Sequence, residues 1–137
     1  MNLSVTIDAS VFVSAFSPAE AAHPQSKAFM QHVRTDAIPI LVPALVLPEV
    51  ASAIARGQGK PDLGIAFVEE LAIFPNLMLV DVDESLAMLA VEVAARHRLR
   101  GSDAVYAAVA LRFGTELVTL DGEQLARLDK VVPVREP

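Results

Sequence analysis

The sequence predicts an α/β protein of three layers, α/β/α, with a central parallel sheet of about five strands. Three observations carry this. Short apolar, β-branched runs recur at Leu3–Ile7, Ile38–Val42, Leu77–Val80, Leu117–Leu120 and Val131–Val134, each of strand length. Segments of helical periodicity separate them, which implies parallel strands joined by right-handed crossovers with helices on both faces. Acids follow strands or open helices, where sheets of this kind gather polar residues into one crevice.

The first strand ends on Asp8, and a brief helix follows over Ser10–Phe16. After the break at Pro18 a second helix begins near Pro24, whose ring suits a first helical position, and runs to about Arg34. Beyond the second strand, Pro43 opens a helix in which Leu45, Val46, Val50, Ala53 and Ile54 recur at helical spacing up to Arg56. Pro48 lies inside that pattern, so it must either kink the helix or shift its effective start, and Glu49 sits beside the bend. Gly57, Gly59 and Pro61 mark a loop before a helix over Leu63–Phe74. After the third strand come a long helix, Asp83–Arg98, and a second, Ser102–Phe113, which Gly114 ends. A short helix over Asp121–Leu128 separates the last two strands.

At 137 residues the chain reads as a single domain, 1–137, long enough to bury one substantial core. Hydrophobic residues make up 53%, yet charges and prolines break every apolar run well short of the ~20 residues of a membrane span. A start reading MNLSVTID, without a basic secretory leader, and the lack of cysteine fit a cytoplasmic protein with no membrane association. Thiolate zinc sites and cysteine nucleophiles are excluded, and no serine occupies a G-x-S-x-G elbow, so any catalysis falls to carboxylates. The net charge of −6 disfavours a nucleic-acid partner. That argument weakens if bound cations reverse the sign around four of the seventeen acids, near which Arg96, Arg98, Arg100 and Arg112 stand in sequence.

Those four are Asp8, Glu49, Asp103 and Asp121. Two like charges about 4 Å apart repel by roughly 4 kcal/mol at an effective dielectric near 20, so a cluster of carboxylates calls for cations or protons. Singly, each has an ordinary explanation: Asp8 caps a helix, Asp103 complements a helix dipole, Asp121 forms a capping box with Gln124, and Glu49 is a solvated helix residue. Their joint occurrence points to a site for a hard metal ion, Mg²⁺ or alternatively Mn²⁺, both of which favour oxygen ligands. His23, His32 and His97 lack ligand spacing. Tyr106 reads as a half-buried helix residue that at most stacks on a base.

The strings IDASVFVSAF, LPEVASAIAR, RGSDAVYAAVALRFG and LVTLDGEQL, in this order and at these separations, resemble the four acidic motifs of the PIN domain. The DAxYAAxA pattern and the short length are similar to VapC-type toxins of prokaryotic toxin–antitoxin pairs. The resemblance implies a PIN-like fold and a metal-dependent endoribonuclease that hydrolyses RNA phosphodiester bonds as the toxin of a type II pair. It makes Asp8 and Asp103 direct metal ligands, Glu49 the third acid and Asp121 the fourth, with Ser10 and Thr119 in support. It further implies a small antitoxin partner and a homodimer, while Arg96, Arg98 and Arg100 are candidates for RNA phosphates. Two rivals stand beside it. One is a PIN-like module that binds RNA or protein without cutting. The other is a Mg²⁺-binding receiver domain with LMLVDVD as its phosphoacceptor strand, against which count a single acid at Asp8 and an arginine, Arg135, where a receiver needs lysine.

Overall fold

The computed structural model describes residues 4–137, so Leu3 of the expected first strand lies outside the described residues. Twelve elements follow in order. They are β1 (Val5–Ile7), α1 (Ala9–Phe16), α2 (His23–Thr35), β2 (Ile40–Pro43), α3 (Val46–Gln58), α4 (Pro61–Ala72), β3 (Leu77–Val80), α5 (Glu84–His97), α6 (Gly101–Phe113), β4 (Glu116–Val118), α7 (Gly122–Arg127) and β5 (Val134–Arg135). The five strands form one sheet in the order β3-β2-β1-β4-β5, and every neighbouring pair is parallel.

That order determines the layers. Stepping from β1 to β2 to β3 in one direction with right-handed crossovers puts α1 to α4 on one face, and crossing back to β4 and β5 puts α5 to α7 on the other. The packing agrees: α1 contacts α2 and α3, α3 contacts α4, α5 contacts α6, and α6 lies over β2, β1 and β4. Because β1 and β2 are covered on both faces, Ile7, Ile40 and Val42 are fully buried apolar residues. Alanines on α6 (Ala104, Ala107, Ala108 and Ala110) let that helix approach the sheet closely.

Several expected boundaries shift, most of them at prolines or capping residues. Pro43 closes β2 opposite Val80 rather than opening α3. The effective start of α3 moves to Val46, which leaves Pro48 in the first turn, where its missing N–H costs no helical hydrogen bond. Pro61 is the first residue of α4 rather than part of the preceding loop, and Gly57 stays helical, so that α3 ends at Gly59 in the left-handed conformation. Strand β5 begins at Val134, later than expected, because the chain after α7 turns back on Leu128 through the N–H groups of Val131 and Val132.

Candidate metal centre

Strands β1 and β4 are neighbours whose following helices leave toward opposite faces, so their C-terminal ends flank the point where an open parallel sheet parts into a crevice. The pairing that brings them together is anchored below by a 2.6 Å hydrogen bond between the buried hydroxyls of Thr6 and Thr115. It continues above as the Asp8 backbone N–H donates to the Val118 carbonyl at 3.0 Å. Asp8 then caps α1, accepting from the Ser10 N–H at 3.0 Å, and Asp121 caps α7, accepting from the N–H groups of Glu123 and Gln124. Asp103 occupies the first turn of α6 and Glu49 the first turn of α3.

Asp8 and Asp103 are buried, at 7% and 6% exposure, and they converge on one nitrogen: Gln124 Nε2 donates to Asp103 Oδ1 at 2.9 Å and to Asp8 Oδ1 at 3.3 Å. Asp121 joins through Arg100, whose guanidinium spans Asp103 Oδ2 at 3.1 Å and Asp121 Oδ2 at 3.0 Å. Glu49 is held by Tyr106, whose hydroxyl donates to Oε1 at 2.6 Å. Ser10 and Thr119 support the crevice: the Ser10 hydroxyl accepts from the Leu120 N–H at 3.2 Å, and the Thr119 hydroxyl accepts from the Asp121 N–H at 3.0 Å.

The electrostatics follow from this crowding. Burial pushes the Glu49 carboxyl above its ordinary value, the Tyr106 hydrogen bond works against that push, and the nearby charges of Asp8 and Asp103 add to it. Asp103 is likewise raised, chiefly by burial, with Gln124 and Arg100 opposing. Tyr106 is driven far up by burial and by Glu49, so it remains a protonated donor.

Among the described residues no three acids or histidines stand close enough to share one ion as the side chains now lie. The donor chemistry nonetheless fits a hard divalent cation. The site consists of carboxylate oxygens, two of them on one nitrogen, and the buried Gln124 Oε1 beside them has no hydrogen-bond partner. An orphaned oxygen acceptor among carboxylates is what a cation or its bound water would satisfy.

Of the three candidate arginines, only Arg100 reaches the acids. Arg96 pairs with Glu92 at 2.8 Å on the outer face of α5, and Arg98 ends that helix with φ 53° while its carbonyl accepts from Arg127. Two site residues escaped the sequence reading. Gln124 was legible only as half of a capping box, and that box is half formed: its N–H reaches Asp121, but its side chain turns inward. Tyr106, expected to be half-buried, is fully buried; its position three residues after Asp103 on α6 was the available signal.

Among the described residues, concavities also lie outside the acids. One, about 520 Å³, is walled by Ala9, Ser10, Val13, Ala22, Ala53 and Leu120 and shares Ser10 with the acidic site. Another, about 380 Å³, is an apolar hollow among α1, α2 and α4, lined by Phe12, Phe16, Met30, Phe67 and Phe74 with Arg34 and Glu70 at its border.

An all-parallel sheet in this strand order, with four carboxylates about its parting strands, is the arrangement of PIN domains. The chain belongs to the PIN domain family, whose family model matches residues 5–131. No curated protein sequence is a significant match. Among solved structures the fold is similar to that of VapC20 from Mycobacterium tuberculosis, a sarcin-ricin loop cleaving toxin, with a TM-score of 0.77 and 19% identity over 90% of this chain and 94% of that one. It is also similar to FitAcB from Neisseria gonorrhoeae (TM-score 0.72, 18% identity, 97% of both chains). A third similar structure is VapBC2 from Rickettsia felis bound to promoter DNA (TM-score 0.72, 12% identity, 96% of this chain and 97% of that one). No helix among the described residues is long and apolar enough to cross a membrane.

Proposed function

We propose that the protein is a Mg²⁺- or Mn²⁺-dependent endoribonuclease and the toxin of a type II toxin–antitoxin pair. The observation that carries this reading is the convergence of two buried carboxylates, Asp8 and Asp103, on one amide nitrogen, with Asp121 joined to Asp103 through Arg100 and Glu49 near enough to feel both charges. Membership of the PIN family and the likeness to toxin structures support it.

Asp8 and Asp103 would hold the ion, with Glu49 and Asp121 completing the negative field. A bound divalent ion supplies a more acidic water and neutralises charge developing on the phosphate. Around it the chain's own groups divide the work. Water adds to phosphorus, the bond to the leaving sugar oxygen breaks, and that oxygen takes up a proton. Glu49, raised by burial and half-exposed, is the side chain suited to receive the proton lost by the attacking water. Arg100, 70% exposed at the mouth, exchanges its carboxylate partners for an RNA phosphate, and the cavity beside Ser10 takes the nucleotide flanking the cut.

The same reading assigns the apolar hollow among α1, α2 and α4 to an antitoxin segment and makes the protein a cytoplasmic homodimer. The test is incubation of the purified chain with structured and unstructured RNAs in Mg²⁺, Mn²⁺ or chelator, beside Asp8→Asn and Asp103→Asn. Cleavage by the parent that needs the metal and is lost in both variants is expected. Full cleavage by either variant refutes the assignment, and RNA binding without cleavage by the parent favours the non-catalytic module.

A further inference from the structure

We infer that Tyr106 is the positioning residue of the acidic cluster: its hydroxyl fixes the Glu49 carboxylate against Asp8 and Asp103, so metal affinity depends on a group that is not a ligand. This rests on the acids being a metal site and is independent of whether RNA is the substrate.

Tyr106 heads the fully buried side chains by size, and a phenol buried that deeply needs a partner for its hydroxyl. The partner is Glu49 Oε1 at 2.6 Å, at the short end of the range for hydroxyl donors and strengthened by the acceptor's charge. Tyr106 itself stands one helical turn beyond Asp103 on α6. One hydroxyl therefore ties α6, which presents Asp103, to Glu49 on α3.

Two hydroxyls act on the Glu49 carboxylate, and that of Tyr106 acts more strongly than that of Ser102 at the start of α6. The Glu49 side chain is half-exposed and borders a shallow hollow shared with Leu45, Pro48, Ser52 and Arg56, an open space into which it would otherwise turn. Groups that orient a metal ligand commonly govern affinity by about 10- to 100-fold. A merely structural role would require only the ring, which phenylalanine supplies.

The experiment is Mn²⁺ binding by calorimetry to the full chain, comparing the parent, Tyr106→Phe, Glu49→Gln and the double variant. Tyr106→Phe is expected to weaken Mn²⁺ binding about 10-fold with little change in melting temperature, and the double variant to bind no more weakly than Glu49→Gln alone. In RNA cleavage the Mn²⁺ concentration for half-maximal rate should rise. Parent-like affinity in Tyr106→Phe, or an undiminished loss in the Glu49→Gln background, overturns the inference. Should Tyr106→Phe fail to fold, Glu49→Asp, which keeps the charge but cannot reach the hydroxyl, must weaken Mn²⁺ binding comparably, and parent-like affinity there overturns it. A parent that binds no Mn²⁺ removes the metal reading beneath it. A parent that binds Mn²⁺ but cuts no RNA removes only the ribonuclease reading.

Discussion

Replacing Gln124 by leucine isolates what keeps two buried carboxylates tolerable within the fold. The side chains are of similar size, so the substitution leaves no large cavity; it removes the amide that serves Asp103 at 2.9 Å and Asp8 at 3.3 Å. Hydrogen bonds to charged groups contribute about 1.5–3 kcal/mol each, the longer one toward the low end, which gives about 3–4 kcal/mol lost. Removing the unpartnered Gln124 Oε1 returns about 1 kcal/mol, leaving a net loss of about 2–3 kcal/mol. For a chain of this length 1 kcal/mol corresponds to about 3.5 °C, so the melting temperature should fall by about 7–10 °C in chelator. Thermal unfolding followed by circular dichroism, in chelator and then in excess Mg²⁺, measures it, and the gap between variant and parent should narrow when the ion takes over the carboxylates. A variant melting within about 2 °C of the parent in chelator would refute the reasoning, as would a gap that Mg²⁺ leaves unchanged.

Three further outcomes are expected. Because the folded chain holds the Glu49 and Asp103 carboxyls above their ordinary values, it binds more protons than the unfolded chain, so their contribution to stability is present below about pH 4.5 and is lost as pH rises through the raised values. Glu49→Gln should therefore gain stability relative to the metal-free parent as pH increases, read from urea midpoints between pH 4 and pH 8 at roughly unit intervals; a constant difference contradicts it. Arg100→Gln should leave the melting temperature close to that of the parent, the guanidinium being 70% exposed, yet lower the slope of log affinity for RNA against log salt by about 1 in fluorescence-anisotropy titrations. Gly64→Ala should lower the melting temperature by about 4–7 °C, since a Cβ there would stand 2.6 Å from the Ala51 carbonyl oxygen and overpacking outweighs the gain in helix propensity, whereas a rise would show that α3 and α4 separate freely.

The elements whose signals are local were legible. The alternation of strand and helix, the αL stop at Gly114 and the aspartate caps at Asp8 and Asp121 are written in neighbouring residues. Pro43 was misassigned because its fixed φ suits both the end of a strand and the start of a helix, and only its pairing with Val80 decides between them. The acids could be nominated, since strand ends and helix starts are readable, but their partners could not. Glu49 and Tyr106 are 57 positions apart, and a phenol's depth of burial depends on whether that distant acceptor arrives. For Gln124, local pattern favoured a reciprocal cap, yet the two buried charges compete more strongly for its amide, while Thr119 satisfies the N–H that the cap would have served.

The separation of 116 positions between Gln124 and Asp8 bears on biosynthesis. At elongation rates of about 5–20 residues per second, Asp8 is made roughly 6 to 23 seconds before the amide that will sit against it. Until β4 arrives, one edge of β1 waits without its neighbour, and the four carboxylates belong to a nascent chain that cannot gather them. Any chain released before Thr119 would carry the first three acids without Asp121 and without the amide that joins Asp8 to Asp103.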